Sequence, residues 1–137
     1  MARPYLGGSS AGIVTLTANA TLTSADNGKV YCFTPPDGAG ALVITLPAVE
    51  AGTKLTFIQT GAYDSAVCKV VSAEGNNLRG GIMAQTGAGD NASATDDFIQ
   101  WGSATVAGDY VTLVCDGSRW WVIDSLSKVT TNGMAFG

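Results

Sequence analysis

Short apolar runs, each closed by a Gly, Pro or Asx turn, fill this chain, and their side chains alternate with a period of two. Residues 29–34 carry Val30 and Cys32 on one side and Tyr31 and Phe33 on the other. Both faces of that strand are apolar, so both are expected to be covered. In 41–46, Leu42, Ile44 and Leu46 share one face, and 53–60 follows as a strand after a tight connection. Further strands are predicted at 13–17, 20–23, 67–71 and 98–101. Residues 109–124 predict a hairpin about Asp116-Gly117, with Val111, Leu113 and Cys115 alternating with Thr112, Val114 and Asp116. Asp26-Asn27-Gly28 and Pro35-Pro36-Asp37-Gly38 are turn signals, since Asn and Gly tolerate left-handed backbone and proline cannot donate to a ladder.

No stretch holds a helical apolar period over three turns, and 47–51 is given one helical turn at most. The pattern predicts an all-β fold: one small single-domain β-sandwich or β-barrel of about seven to nine short strands. Residues 1–12, rich in Gly and Ser, read as an extended N-terminal arm; 13–126 form the β-domain; 127–137 read as a loose C-terminal tail. The least regular stretch is 79–97, a length of loop that is uncommon unless it makes contacts or moves.

At 137 residues the chain fits one domain burying about two-thirds of its unfolded surface, so no metal or disulfide staple is required. Charged residues are 13% of the total, about half the usual share. Thr, Ser, Asn and Gly cover the surface instead, and such a surface is easier to desolvate against a neighbour. The net charge is −4 and the seven Lys and Arg are scattered singly, which disfavours nucleic-acid binding. No apolar run is long enough to span a bilayer, and the first ten residues lack the apolar core of a secretory signal. The expectation is a protein without membrane partners, made and assembled in a cytoplasm. Cys32, Cys68 and Cys115 each lie inside an apolar run. Reduced thiols acting as small core hydrophobes account for all three; one disulfide with a leftover thiol is the other arrangement an odd count permits.

Candidate chemistry is sparse. The chain has no histidine, which removes the commonest general base and His-containing zinc sites. Asp90, Asp96, Asp97 and Asp109 are the nearest approach to paired carboxylates, and all sit in turn contexts where Asp caps backbone amides. The 90–97 segment lacks EF-hand spacing, and no glycine cluster fits a phosphate loop. No catalytic, cofactor or metal residue is expected, and the chain is not read as an enzyme. Adjacent strand residues Trp120 and Trp121 must point to opposite faces, so at most one joins a given core. Trp101, Trp120, Trp121 and Phe136 are taken as interface candidates, because aromatic residues are enriched in buried contacts between partners.

The stretches 3–12 and 16–29, the phrase Ile44-Thr45-Leu46-Pro47-Ala48 through Gly52, and the closing 111–123 resemble small virion proteins of tailed bacteriophages. The likeness is to those that decorate the head, especially in aquatic and cyanobacterial phages, and the last two phrases also recur in tail-fibre modules. The resemblance implies a capsid decoration (cement) protein, often trimeric, that binds the major capsid protein on the virion exterior. No catalytic residues come with it, and 79–97 has no counterpart. From the residues themselves, Arg3, Pro4, Tyr5 and Leu6 supply a charged donor, a stiffener and two apolar anchors on a Gly-Ser tether, and are the expected capsid contacts. A homotrimer is expected. The alternative is a tail-fibre or receptor-binding module that recognises a host glycan through Trp101 and the 79–97 loop.

Overall fold

The computed structural model describes residues 12–38, 40–129 and 131–137. The expected N-terminal arm, with Arg3, Pro4, Tyr5 and Leu6, lies outside the described residues apart from Gly12. Among the described residues thirteen strands follow in chain order: β1 (Ile13–Leu16), β2 (Ala20–Thr21), β3 (Val30–Phe33), β4 (Leu42–Thr45), β5 (Lys54–Gln59), β6 (Cys68–Val71), β7 (Leu78–Arg79), β8 (Gly81–Ile82), β9 (Asp90–Asn91), β10 (Phe98–Trp101), β11 (Tyr110–Cys115), β12 (Trp120–Leu126) and β13 (Met134–Phe136). β1, β3, β4, β5, β6, β10, β11 and β12 have four or more residues. The other five have two or three, too few to show a period in sequence. The helical turn lies at Ser24–Asp26 rather than in 47–51, where the chain makes a tight turn closed by the Thr53 amide donating to the Glu50 carbonyl.

The strands form a sandwich. One sheet runs β1-β3-β5-β11-β12-β7, the other β13-β10-β6-β4-β2, and β8-β9 is a small ribbon. From β1 to β6 consecutive strands fall alternately in the two sheets, so each return to a sheet arrives in the same direction. That is why β1-β3, β3-β5, β2-β4 and β4-β6 are parallel pairs. The connection after Leu46 therefore carries the chain across the core instead of folding β4 back on β5. The β11-β12 pair is the antiparallel hairpin expected from Asp116-Gly117. Gly117 takes a φ of 99° there, which a side chain strongly disfavours. Asp116 Oδ1 accepts the amides of Ser118 and Arg119, both at 2.8 Å.

Alternation then fills the space between the sheets. Tyr31, Phe33, Leu55, Phe57, Leu113 and Trp120 come from one layer, and Leu42, Ile44, Cys68, Val70, Ile99 and Trp101 from the other. Phe33 and Trp101 meet edge to face across the layers, their ring centroids 5.0 Å apart. Burial of several such large side chains, each contributing about 1.5–3 kcal/mol, is the main source of stability.

The C-terminal stretch is not the loose tail expected. β13 pairs antiparallel with β10, Met134 is buried opposite Trp101, and the Gly137 amide and carbonyl bond to the backbone of Phe98. The Ser127 hydroxyl anchors its approach, donating to the Val129 carbonyl at 2.8 Å and accepting the Met134 amide at 3.1 Å. The irregular 79–97 stretch is likewise tied down. Its ribbon meets β13 where Asp90 Oδ2 accepts the Phe136 amide at 2.7 Å. All three cysteines are free thiols; Cys68 and Cys115 are buried and Cys32 is half-buried.

Candidate functional site

The structure separates the aromatic interface candidates. Trp101 and Trp120 are wholly buried, so neither has surface to offer a partner, and Trp101 serves as no glycan platform. Both fill the core because they occupy inward positions of β10 and β12. Phe136 is half-buried and packs against the core from the edge strand β13. Trp121 alone stands on the surface, 37% exposed, on the face opposite Trp120 as the strand geometry requires. Its indole N–H donates to Asp116 Oδ2 at 2.7 Å. That bond, with the amides of Ser118 and Arg119, holds the Asp116 carboxyl below its usual range.

Trp121 belongs to a larger surface, the outer face of the six-stranded sheet. Pairing registers align Ile13, Val30, Thr56, Thr112 and Asp124 in one row across five strands. The next row is Thr15, Cys32, Ile58, Tyr110 and Leu126, and a third joins Lys54, Val114, Trp121 and Arg79. Aliphatic, aromatic and threonine side chains dominate the first two, while Lys54 and Arg79 flank Val114 and Trp121 in the third. Ile13 is 69% exposed and Leu126 40%. The sequence signal for this face was the double apolarity of 29–34; Ile58, Ile123 and Leu126 escaped that reading.

Ile123 reaches the surface by an irregularity. Thr112 pairs with Asp124 but Leu113 with Val122, which leaves Ile123 as an extra residue in β12. Such a bulge re-aims a side chain, and Ile123 stands 54% exposed beside the rows. Without that bulge the inward Trp120 and the inward Ser125 could not occupy the same face, because they are separated by an odd number of positions.

The polar groups on this face are largely paired with one another. The Thr56 and Thr112 hydroxyls are 2.9 Å apart in a hydrogen bond. The Tyr110 hydroxyl donates to Asp124 Oδ1 at 3.0 Å, and that bond raises the phenol above its usual range. The face can therefore lose water without stranding these groups.

Of the acidic candidates, Asp90, Asp96 and Asp109 act as braces through their carboxylates. Asp109 Oδ1 and Oδ2 accept the amides of Lys128 and Val106, and Asp96 accepts the Ser93 amide and hydroxyl. Burial lifts the Asp109 carboxyl above its usual range, against the pull of the amides. The Cys68 thiol is pushed up by burial, which keeps it from the reactive thiolate form. Among the described residues no three His, Cys, Asp or Glu side chains group as metal ligands, and no helix is long and apolar enough to cross a membrane. Compared with models of known protein families and with curated proteins, the chain matches none.

Proposed function

We propose that this chain is a virion structural protein that binds the outer surface of a tailed-phage capsid and stabilises it as a decoration protein. The observation that carries the reading is the union of two features. The phage-like phrases of the sequence fold into the β4–β5 crossover and the β11–β12 hairpin of an all-β body. That body presents a sheet face on which aliphatic, aromatic and threonine side chains outnumber the charges of Lys54, Arg79 and Asp124, a surface suited to contact. The protein then works by adding contacts: it acts without catalysis, on the major capsid protein and on copies of itself, as a homotrimer. Many symmetry-related copies make a modest gain per site cumulative over a shell.

In this reading residues 2–10 add to the attachment. Burying Tyr5 and Leu6 against a capsid groove contributes about 3–5 kcal/mol before the ordering cost is subtracted. Heads stripped of the protein provide the test. Purified full-length chain should rebind them and raise their resistance to heat or chelator; a chain lacking 2–10 should stay folded and rebind more weakly. Equal retention of both chains would remove the N-terminal residues from the mechanism, and no rebinding by either would reject the capsid reading.

A glycan-binding tail module is the second reading, favoured by one feature. A cleft of about 550 Å³ is lined by Thr15, Thr17, Thr34, Asp37, Tyr63 and Asp64, among others, an aromatic ring beside hydroxyls and carboxylates. Binding to a glycan array, lost on Tyr63→Ala, would select this reading over the first.

A further inference from the structure

Exposed apolar side chains stand toward opposite ends of the outer face of the six-stranded sheet. Ile13 marks the β1 end; Trp121, Ile123 and Leu126 mark the β12 end. Between them Val30 and Ile58 are only half-buried. We propose that this face is the contact between copies of the chain, with the β12 end of one copy seated on the β1–β5 end of the next in a closed ring.

Four observations point to a second copy as the occupant. The face supplies both halves of an apolar contact, one at each end, so a copy brings the complementary patch with it. A contact between different patches of one chain closes into a ring when the rotation permits. The face carries both signs of charge, Lys54 on β5, Arg79 on β7 and Asp124 on β12, and the proposed seating brings the Lys54 cation of one copy toward the Asp124 carboxylate of the next. A chain of net charge −4 repels its copies at a distance, and contact is less opposed at a face that carries both signs.

The paired hydroxyls of Thr56 and Thr112, and the Tyr110–Asp124 bond, lower the cost of removing water from the middle of the face. Finally, five strands at about 4.8 Å spacing span roughly 20–24 Å, and about 16 Å of strand length makes the face roughly 350 Å², nearly half of a standard partner footprint of about 800 Å². The bulge that exposes Ile123 then has a use: it adds one aliphatic anchor to the β12 end.

Only the number of copies, three, rests on the capsid reading; the assignment of the face does not. Sedimentation velocity of the full chain at micromolar concentration tests it. The expected mass is that of an oligomer, and Ile123→Lys should weaken association by about tenfold or more with an unchanged circular dichroism spectrum. Asp124→Lys should weaken it too, and adding Lys54→Asp to the same chain should restore much of the loss, since the ring pairs the two positions. Leu126→Glu is a second surface variant should Ile123→Lys fold poorly.

A single-chain mass across the concentration range, or full association by the variants, would overturn the proposal. If the chain is a monomer and Ile123→Lys abolishes head binding, the face belongs to the capsid: this inference fails and the capsid reading survives. An oligomer that dissociates as expected but never binds heads does the opposite, supporting the ring and rejecting the capsid reading.

Discussion

At Asp26 a single carboxylate closes the turn before β3 in two ways. It accepts the Thr23 amide at 2.8 Å, and Lys29 Nζ at 2.7 Å forms the one salt bridge among the described residues. Partial burial opposes its ionisation, but the Lys29 and Thr23 bonds together prevail and bring its pKa down to about 2. A folded value below the unfolded one, about 3.9, gives stability that is present above pH 4 and lost as pH falls through 2. Asp26→Asn should therefore cost about 1 kcal/mol near neutrality, allowing for solvent screening, with the gap closing between pH 4 and 2 in urea titrations. Asp109 has the opposite sign. Burial raises its carboxyl, so protonation favours the folded state and its contribution grows as pH falls through the carboxylate range. Asp109→Ala leaves the Val106 and Lys128 amides without their acceptor, and the same titrations should show a loss of about 2–4 kcal/mol.

Elements that look weak in isolation are held by their neighbours. β13 has three residues, yet it covers the outer edge of β10 and inserts Met134 into the core. Close approach makes this possible: a side chain at Gly133 would collide with the Val129 carbonyl, and one at Gly102 with the Asn132 carbonyl. Met134→Ala should lower unfolding stability by about 2–5 kcal/mol, the cost of a buried cavity. A loss below about half a kcal/mol would return 127–137 to the status of a tail. Gly117→Ala tests the hairpin in the same way: with φ at 99°, the substitution should cost about 1 kcal/mol by equilibrium unfolding.

For the whole molecule, the balance between a filled interior and an apolar exterior sets the behaviour. The core between the sheets is continuous from Leu22 to Met134, so the domain should unfold as one cooperative unit. The outer face of the six-stranded sheet adds a term that depends on concentration. Any self-association of the folded chain raises its apparent stability by mass action. The thermal midpoint of the wild-type chain should rise with protein concentration, while that of Ile123→Lys should not. A midpoint independent of concentration in the wild type would place no stabilising self-contact on this face.

Period-two alternation closed by turn residues determined the all-β class, the inward set Leu42, Ile44 and Leu46, the hairpin at Asp116-Gly117, and the opposite facing of Trp120 and Trp121. Those features rest on local geometry: side chains alternate along any strand, and Gly supplies the left-handed turn wherever it falls. Tertiary structure decided what local geometry leaves open. Strands β4 and β5 read as neighbours but lie in opposite layers, because which sheet a strand joins depends on distant partners. Trp101 is core and Trp121 surface for the same reason: alternation separates faces without saying which one another sheet will cover. The C-terminal strand was illegible because three residues carry no period, and its hold on β10 comes from Ser127, Asp90 and Phe98, all supplied by other parts of the chain. The apolar outer face emerged only from registers that bring β1, β3, β5, β11 and β12 side by side, a juxtaposition made by packing across the whole sequence.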